Sequence, residues 1–257
     1  MLDIEKFDIK LGTEFIGRNF VLVDEIESTN SYLLKNSNKS LKNGTVLFAE
    51  KQIKGKGRQE RTWYSQKGQN LTFSILLTDK KYFGKTFNLI NFGTAVTIAQ
   101  SLENLYMLKT ETKWPNDILV NHKKISGILF ESVSQGSKID RLVIGIGINV
   151  NQNQFQGEFK IAPTSIRTEI DNIVEREKLL AEILTHFEVM LERVWRNPQG
   201  VLNDWKSRCR MIGEKISLDD GNKIRYGFFD DLDENGYLIF RYKNKTEKIH
   251  FGDVTLA

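Results

Sequence analysis

Lys51, Lys54, Lys56, Arg58, Arg61 and Lys67 crowd around Gly55 and Gly57 in one short stretch of the chain. Glycines let backbone N–H groups come close to a phosphate while cations neutralise it, so the chemistry open to this segment is capture of a phosphate-bearing ligand. From Gly-Lys-Gly-Arg alone, a solvated turn with ordinary surface charge is an equal reading, because short glycine motifs carry little specificity. A Walker loop would need Gly-Lys-Ser/Thr opening a helix, and a dinucleotide fingerprint would also lead into a helical pattern; neither follows here. Nucleic acid is a third reading, although only Trp63 and Tyr64 offer rings for base stacking.

Three further constellations could do chemistry. Lys113-Trp114-Pro115-Asn116-Asp117 sets a rigid proline corner beside two polar side chains, which taken alone is an ordinary turn. Lys124 with Gly127 puts an ammonium next to an open space, and a lone lysine of this kind is usually solvated. Gly145-Ile146-Gly147-Ile148-Asn149 places glycines inside an apolar run, for close packing or for a ligand lying against the backbone. His122, His186 and His250 stand in no Ser/His/Asp or Cys/His context, and Cys209, the one cysteine, reads as a helix-end bystander.

The elements that must carry these residues follow from periodicity. Strands are expected at 20–23, 46–49, 71–77, 110–114, 118–120, 125–130 and 142–150, with a hairpin turn at 121–124. Ser28-Thr29-Asn30 supplies caps for a helix beginning near Tyr32. Amphipathic helices are expected over 87–105 and 176–195, and a shorter one over 201–208. Residues 51–68 show neither helical nor strand period, so a long functional loop is expected there. Beyond residue 210 short strands and tight turns take over, which implies a small all-β barrel appended to an α+β body, with a catalytic domain over 1–210 and a β domain over 211–257.

Composition narrows the class. The chain has 257 residues, 40% hydrophobic and 27% charged, as expected of a globular protein and not of a disordered one. No window approaches about 18 consecutive apolar residues and the start lacks a signal-peptide pattern, so no membrane association is expected. The single cysteine favours a reducing, cytoplasmic setting. Net charge is +4, yet the stretch 51–67 alone carries six basic residues against Glu60. Charge concentrated in one glycine-rich loop suits a small phosphate-bearing ligand better than a nucleic acid.

Taken in order, Ser28-Thr29-Asn30, Gln52 with Gly55-Lys56-Gly57-Arg58, Arg61-Thr62-Trp63, Gly68-Gln69-Asn70-Leu71, Lys113-Trp114-Pro115-Asn116-Asp117, Lys124-Ile125-Ser126-Gly127 and Gly145-Ile146-Gly147-Ile148-Asn149 closely resemble the motif series of the biotin protein ligases, from about residue 20 to the end of the chain. The resemblance implies an α+β fold, a mixed β-sheet flanked by helices of the class II aminoacyl-tRNA synthetase-like kind, with a small C-terminal SH3-like β-barrel. It implies an enzyme that activates biotin with ATP as biotinyl-5′-AMP and passes it to a lysine of a biotin carboxyl carrier domain.

Residue by residue, the resemblance places Ser28, Thr29, Asn30 and Gln52 around the biotin ring system. Gly55, Lys56, Gly57 and Arg58 belong to a loop closing over biotin and the adenylate, with Gly127, Gly145 and Gly147 lining the pocket. Lys124 and Arg58 are the catalytic cations by this reading; Lys56, Arg61, Trp63, Asn116 and Asn149 join them on the adenylate side. Mg2+ would be held mainly through ATP phosphates, near Asn116 and Asn149.

The loop departs from the family's arginine-rich form: Lys56 keeps the charge without the bidentate fork, Gln59 replaces a cation, and Glu60 adds a negative charge that would oppose a phosphate. The rival readings are a lipoate or octanoate ligase or transferase of the same superfamily, and a biotin-responsive DNA-binding repressor. Only about twenty residues precede the first family-like strand, so a monofunctional ligase, monomeric or homodimeric and without a DNA partner, is expected.

Overall fold

A computed structural model describes residues 1–35, 41–84, 87–135, 138–243 and 245–257. Seven strands form one mixed sheet: β1 (Phe20–Ile26), β2 (Val46–Gln52), β3 (Leu71–Leu77), β4 (Thr110–Lys113), β5 (Asp117–Val120), β6 (Lys123–Gln135) and β7 (Lys138–Ile148). Their order across the sheet is β1-β2-β3-β7-β6-β5-β4. Only β1 and β2 run parallel, and every other neighbouring pair is antiparallel.

Both faces of the sheet are covered, which is why β3 is buried at all seven positions and is apolar at all but Thr72 and Ser74. On one face α1 (Ile4–Lys10), α3 (Leu89–Tyr106), α5 (Arg176–Arg196) and α6 (Pro198–Lys206) close the main core. On the other, α2 (Thr29–Leu34) sets Leu33 against Leu47, Leu76 and Val143. The eight apolar positions expected to share a face of α5, from Leu179 to Val194, are all buried. Helix α3 is less one-sided than its expected amphipathic pattern: Gly93, Thr94, Thr97 and Ser101 are buried too, because it lies between the sheet, α5 and α6.

Several boundaries differ from the expectation. Helix α6 starts at Pro198, not Val201, since proline suits the first helical position and the Asn197 side chain accepts from Gly200 N–H. The hairpin turn is Asn121-His122 alone, both in left-handed backbone with φ of 49° and 63°, the geometry of a two-residue turn that matches strand twist. Strand β7 ends at Ile148, so Asn149 stands just beyond it. Helices α1 and α4 (Ile166–Ile170), of seven and five residues, escaped the reading because neither is long enough to show a full amphipathic repeat.

The C-terminal strands β8 (Lys215–Asp219), β9 (Ile224–Leu232), β10 (Leu238–Tyr242), β11 (Lys245–Ile249) and β12 (Asp253–Leu256) form an antiparallel sheet in the order β11-β10-β9-β8-β12. Where a barrel was expected, no pairing of β11 with β12 closes it among the described residues. This sheet is fastened to the body by Trp114 Nε1, which donates to the Gly236 carbonyl at 3.2 Å, and by Asn88 Nδ2, which donates to Tyr237 Oη at 2.8 Å.

One buried ion pair ties the N-terminus and α5 to the sheet. Arg176 grips Glu50 of β2 through two nitrogens, at 2.9 and 3.2 Å, and the Leu2 amide donates to the same carboxylate. Burial pushes the Glu50 carboxyl up, but Arg176 and Leu2 outweigh it and hold it below the usual carboxylate range. Arg176→Met therefore destabilises the fold by about 3–5 kcal/mol, because it strands a buried charge; urea unfolding at pH 7 measures this. In the parent chain the depressed pKa makes the contribution fully present above the ordinary carboxylate value. It is lost as pH falls through the lower, folded one.

Candidate active site

A cavity of about 740 Å³ opens between the seven-stranded sheet and the C-terminal sheet. Its floor is a glycine track: Gly147 of β7 pairs with Gly127 of β6 and with Thr72 of β3, and Gly145 pairs with Ser74. The space each glycine leaves is taken by a functional side chain. A Cβ at Gly145 would overlap the Asn30 amide, one at Gly147 would overlap the Trp63 indole, and one at Gly127 would meet the Lys124 ammonium at 3.1 Å. The glycines therefore let three side chains from distant segments lie directly on the sheet backbone.

At one end of the track is a polar cluster. Ser28 caps α2 by accepting from Ser31 N–H. Thr29 donates through both N–H and Oγ1 to Gln52 Oε1, at 2.7 and 3.0 Å. Asn30 Nδ2 donates to Glu131 Oε2 at 2.8 Å and to the Leu129 carbonyl at 3.2 Å. Ser74 Oγ sits between Thr29 Oγ1 at 2.6 Å and Asn30 Oδ1 at 2.5 Å. Ser74 and Glu131 were not singled out from the sequence. The available signal was a serine in the centre of a mostly apolar buried strand, where a hydroxyl needs partners.

Residues 51–68, expected to lack regular structure, contain an ordered hairpin. Strand β2 continues through Gln52; then Trp63 N–H donates to Gly55 O at 2.9 Å and Gly57 N–H to Arg61 O at 2.6 Å, with Lys56 bridged to Thr62. The hairpin pairs with itself over a cavity and buries no alternating face, so its sequence carries no apolar period. Gly55 is required because a Cβ there would overlap the Trp63 carbonyl, and it does not line the cavity. Lys56, Gly57, Arg58, Arg61 and Trp63 do line it, while Glu60 lies at the exposed tip, outside the lining.

The hairpin is clasped to the C-terminal sheet by one carboxylate. Arg58 reaches Asp253 Oδ1 and the Gly252 carbonyl, both at 3.2 Å, and lies over the Phe251 ring; Arg61 reaches Asp253 Oδ2 at 2.5 Å. Across the cavity, Lys124 pairs with Asp117 at 2.7 Å and stands over the Trp63 ring at 5.7 Å. Burial pushes the Asp117 carboxyl up, but Lys124 and Lys113 outweigh this and hold it below the usual range. Asn116 and Asn149 also line the cavity, each donating Nδ2 to a carbonyl, of Ile128 and Thr164.

No histidine or cysteine lines this cavity. Burial pushes the Cys209 thiol up to about 11, so it supplies no thiolate near neutral pH. Among the described residues no cluster of three or more His, Cys, Asp or Glu could hold a metal ion, and no helix is long and apolar enough to cross a membrane. The arrangement offers amide and hydroxyl groups at one end and cations at the other. That suits an uncharged polar ring carrying an acid that is to be joined to a phosphate.

Residues 22–149 match the model of the biotin/lipoate A/B protein ligase family. The bifunctional ligase/repressor BirA of Bacillus subtilis is 32% identical over 99% of this chain and 79% of its own length. A biotin–(acetyl-CoA-carboxylase) ligase of Paracoccus denitrificans is 28% identical over 84% of this chain and 91% of its own. In three dimensions the chain is similar to the biotin protein ligase of Aquifex aeolicus in complex with biotin and ATP. That match has a TM-score of 0.80 at 28% identity, over 93% of this chain and 99% of the other.

Proposed function

Since the chain belongs to the biotin/lipoate A/B protein ligase family, we infer that its cavity activates biotin with ATP and hands it to a protein lysine. The observation that carries this reading is the glycine track with the Thr29–Asn30–Gln52 cluster at one end and Lys124 and Arg58 at the other. Biotin's ureido ring has two N–H donors and a carbonyl acceptor, which Ser28, Thr29, Asn30 and Gln52 can match. The dithiolane ring of lipoate offers none of these, so such a cluster would be left unpaired by it.

In the first step a carboxylate oxygen of biotin bonds to the α-phosphorus of ATP and the bond to pyrophosphate breaks. Two anions meet, so the site must concentrate positive charge where they join. Lys124, beside the glycine track, addresses the carboxylate and α-phosphate, while Arg58 and Arg61 bring the hairpin down on the adenylate. Each such contact is worth about 2–4 kcal/mol in the transition state. With no cage of three or more carboxylates among the described residues, the residues present fit a magnesium ion held mainly by phosphate oxygens, near the amide side chains of Asn116 and Asn149. In the second step the neutral amine of a carrier lysine attacks the acyl carbon, and AMP leaves.

The acceptor in this reading is a biotin carboxyl carrier domain of a biotin-dependent carboxylase, consistent with the name of the Paracoccus relative. The working division is a catalytic domain over 1–210 and a β domain over 211–257, the latter contributing Asp253 to the cavity rim. Biotin-dependent ATP–pyrophosphate exchange, followed by avidin blotting of a carrier domain, tests the assignment. Exchange supported by lipoate and not by biotin would overturn it.

Arg58 has a separate test. If the hairpin retains the adenylate, Arg58→Ala removes charge-assisted hydrogen bonds and speeds adenylate release by about ten- to a hundredfold. Release of preformed radiolabelled adenylate measures this, and an unchanged rate contradicts the role.

A further inference from the structure

Lys113 closes β4 and pairs in register with Asp117, the first residue of β5, across the Pro115 corner. Its side chain lines the cavity although the residue is only 6% exposed. Lys124 and Arg61, the cations whose charge reaches it, are matched by Asp117 and Asp253, and Arg58 shares Asp253. Among the described residues Lys113 has no hydrogen bond or ion pair through its ammonium. An ammonium largely shielded from bulk water but open to the cavity gains from an anion that enters beside it. Burial pushes this amine below the usual lysine range against the pull of Asp117 and Asp253, and an incoming anion would add to that pull.

Position across the sheet tells which part of a substrate that anion is. The polar cluster spans the sheet from Gln52 of β2 and Ser74 of β3 to Glu131 of β6, Lys124 stands nearer the start of that same strand, and Lys113 lies beyond β6 on β4, in the order β2-β3-β7-β6-β5-β4. A biotin ring on the cluster brings its carboxylate to Lys124. In an in-line displacement the leaving oxygen is opposite the attacking one, so pyrophosphate departs on the far side of the α-phosphate. That is the side of Lys113.

We propose that Lys113 is a further catalytic residue of the adenylation step, contacting the β- and γ-phosphates of ATP and stabilising pyrophosphate as it leaves. This rests on the ligase reading above. The new bond joins carboxylate oxygen to α-phosphorus, and the electron pair of the broken bond goes to the pyrophosphate oxygen. Lys113 donates hydrogen bonds to that anion and transfers no proton.

The test uses the full chain with Lys113→Met and Lys113→Arg. Lys113→Met lowers biotin-dependent adenylation about thirty- to a hundredfold and weakens inorganic pyrophosphate binding, read by calorimetry without biotin, about tenfold or more. Transfer from chemically prepared biotinyl-5′-AMP to a carrier domain stays within about twofold, and Lys113→Arg recovers part of the pyrophosphate binding. Equal loss in both half-reactions would make Lys113 structural, and loss of transfer alone would place it on the acceptor amine; either overturns the proposal, as does unchanged pyrophosphate binding. Thermal melting checks folding, and Lys113→Gln replaces the methionine variant if that one fails to fold. A parent chain that binds pyrophosphate but shows no biotin-dependent exchange would overturn the ligase reading instead.

Discussion

Lys124→Ala slows biotin adenylation by about a hundred- to a thousandfold, the effect of losing one preorganised charge where negative charge develops. ATP affinity changes far less, because the nucleotide keeps its other contacts while the lost one strengthens as carboxylate and phosphate meet. The environment explains why no neighbour substitutes. Lys124 is fixed by its backbone N–H to Ala162 O at 2.8 Å, its ammonium is held 2.7 Å from Asp117, and its tip lies 3.1 Å from the position a Cβ at Gly127 would take. Removing it also strands the Asp117 carboxylate, so Asp117→Asn in the same background separates lost catalysis from a new unpaired charge. Single-turnover quenching with α-labelled ATP gives the rate; adenylation near the parent value would sink the role.

Gly145→Ala weakens biotin binding by about a hundredfold while the protein stays folded. The added methyl has nowhere to go: β7 is central, paired on both sides, and the new carbon would overlap the Asn30 amide. Asn30 must then leave Ser74, Glu131 and the Leu129 carbonyl, the partners that fix its orientation. Overpacking of this kind destabilises a core by about 1–3 kcal/mol, and a misplaced amide removes polar contacts of similar size from the ligand. Calorimetric titration with biotin, next to a thermal melt, measures both. Unaltered affinity would mean that Asn30 does not face the ring.

The strand glycines and Lys124 could be singled out as candidates because each lies within a few residues of a strand whose period is clear, but their roles, like that of Asn30, came from the resemblance. Arg58 was legible as a cation, but its partner was not. Asp253 lies 195 residues away, and no local pattern can report a pairing made only when two sheets meet. Ser74 was hidden by the strength of the strand around it, since the two hydroxyls of Thr72 and Ser74 barely disturb the apolar pattern. The hairpin at residues 55–63 was hidden for the opposite reason: it is ordered by its own backbone and by arginines, and hydrophobic patterning says nothing about either. Resemblance supplied the roles of Ser28, Thr29 and Gln52, and the structure adds the hydrogen bonds that hold Thr29 and Gln52 together.

The clasp on Asp253 has a consequence for the order of synthesis. A ribosome makes the hairpin early and the carboxylate that fastens it nearly last, so the clasp can close only once β12 has been made. Until translation reaches that strand, Arg58 and Arg61 have no carboxylate to share, and the two ends of the cavity rim come from the two ends of the gene.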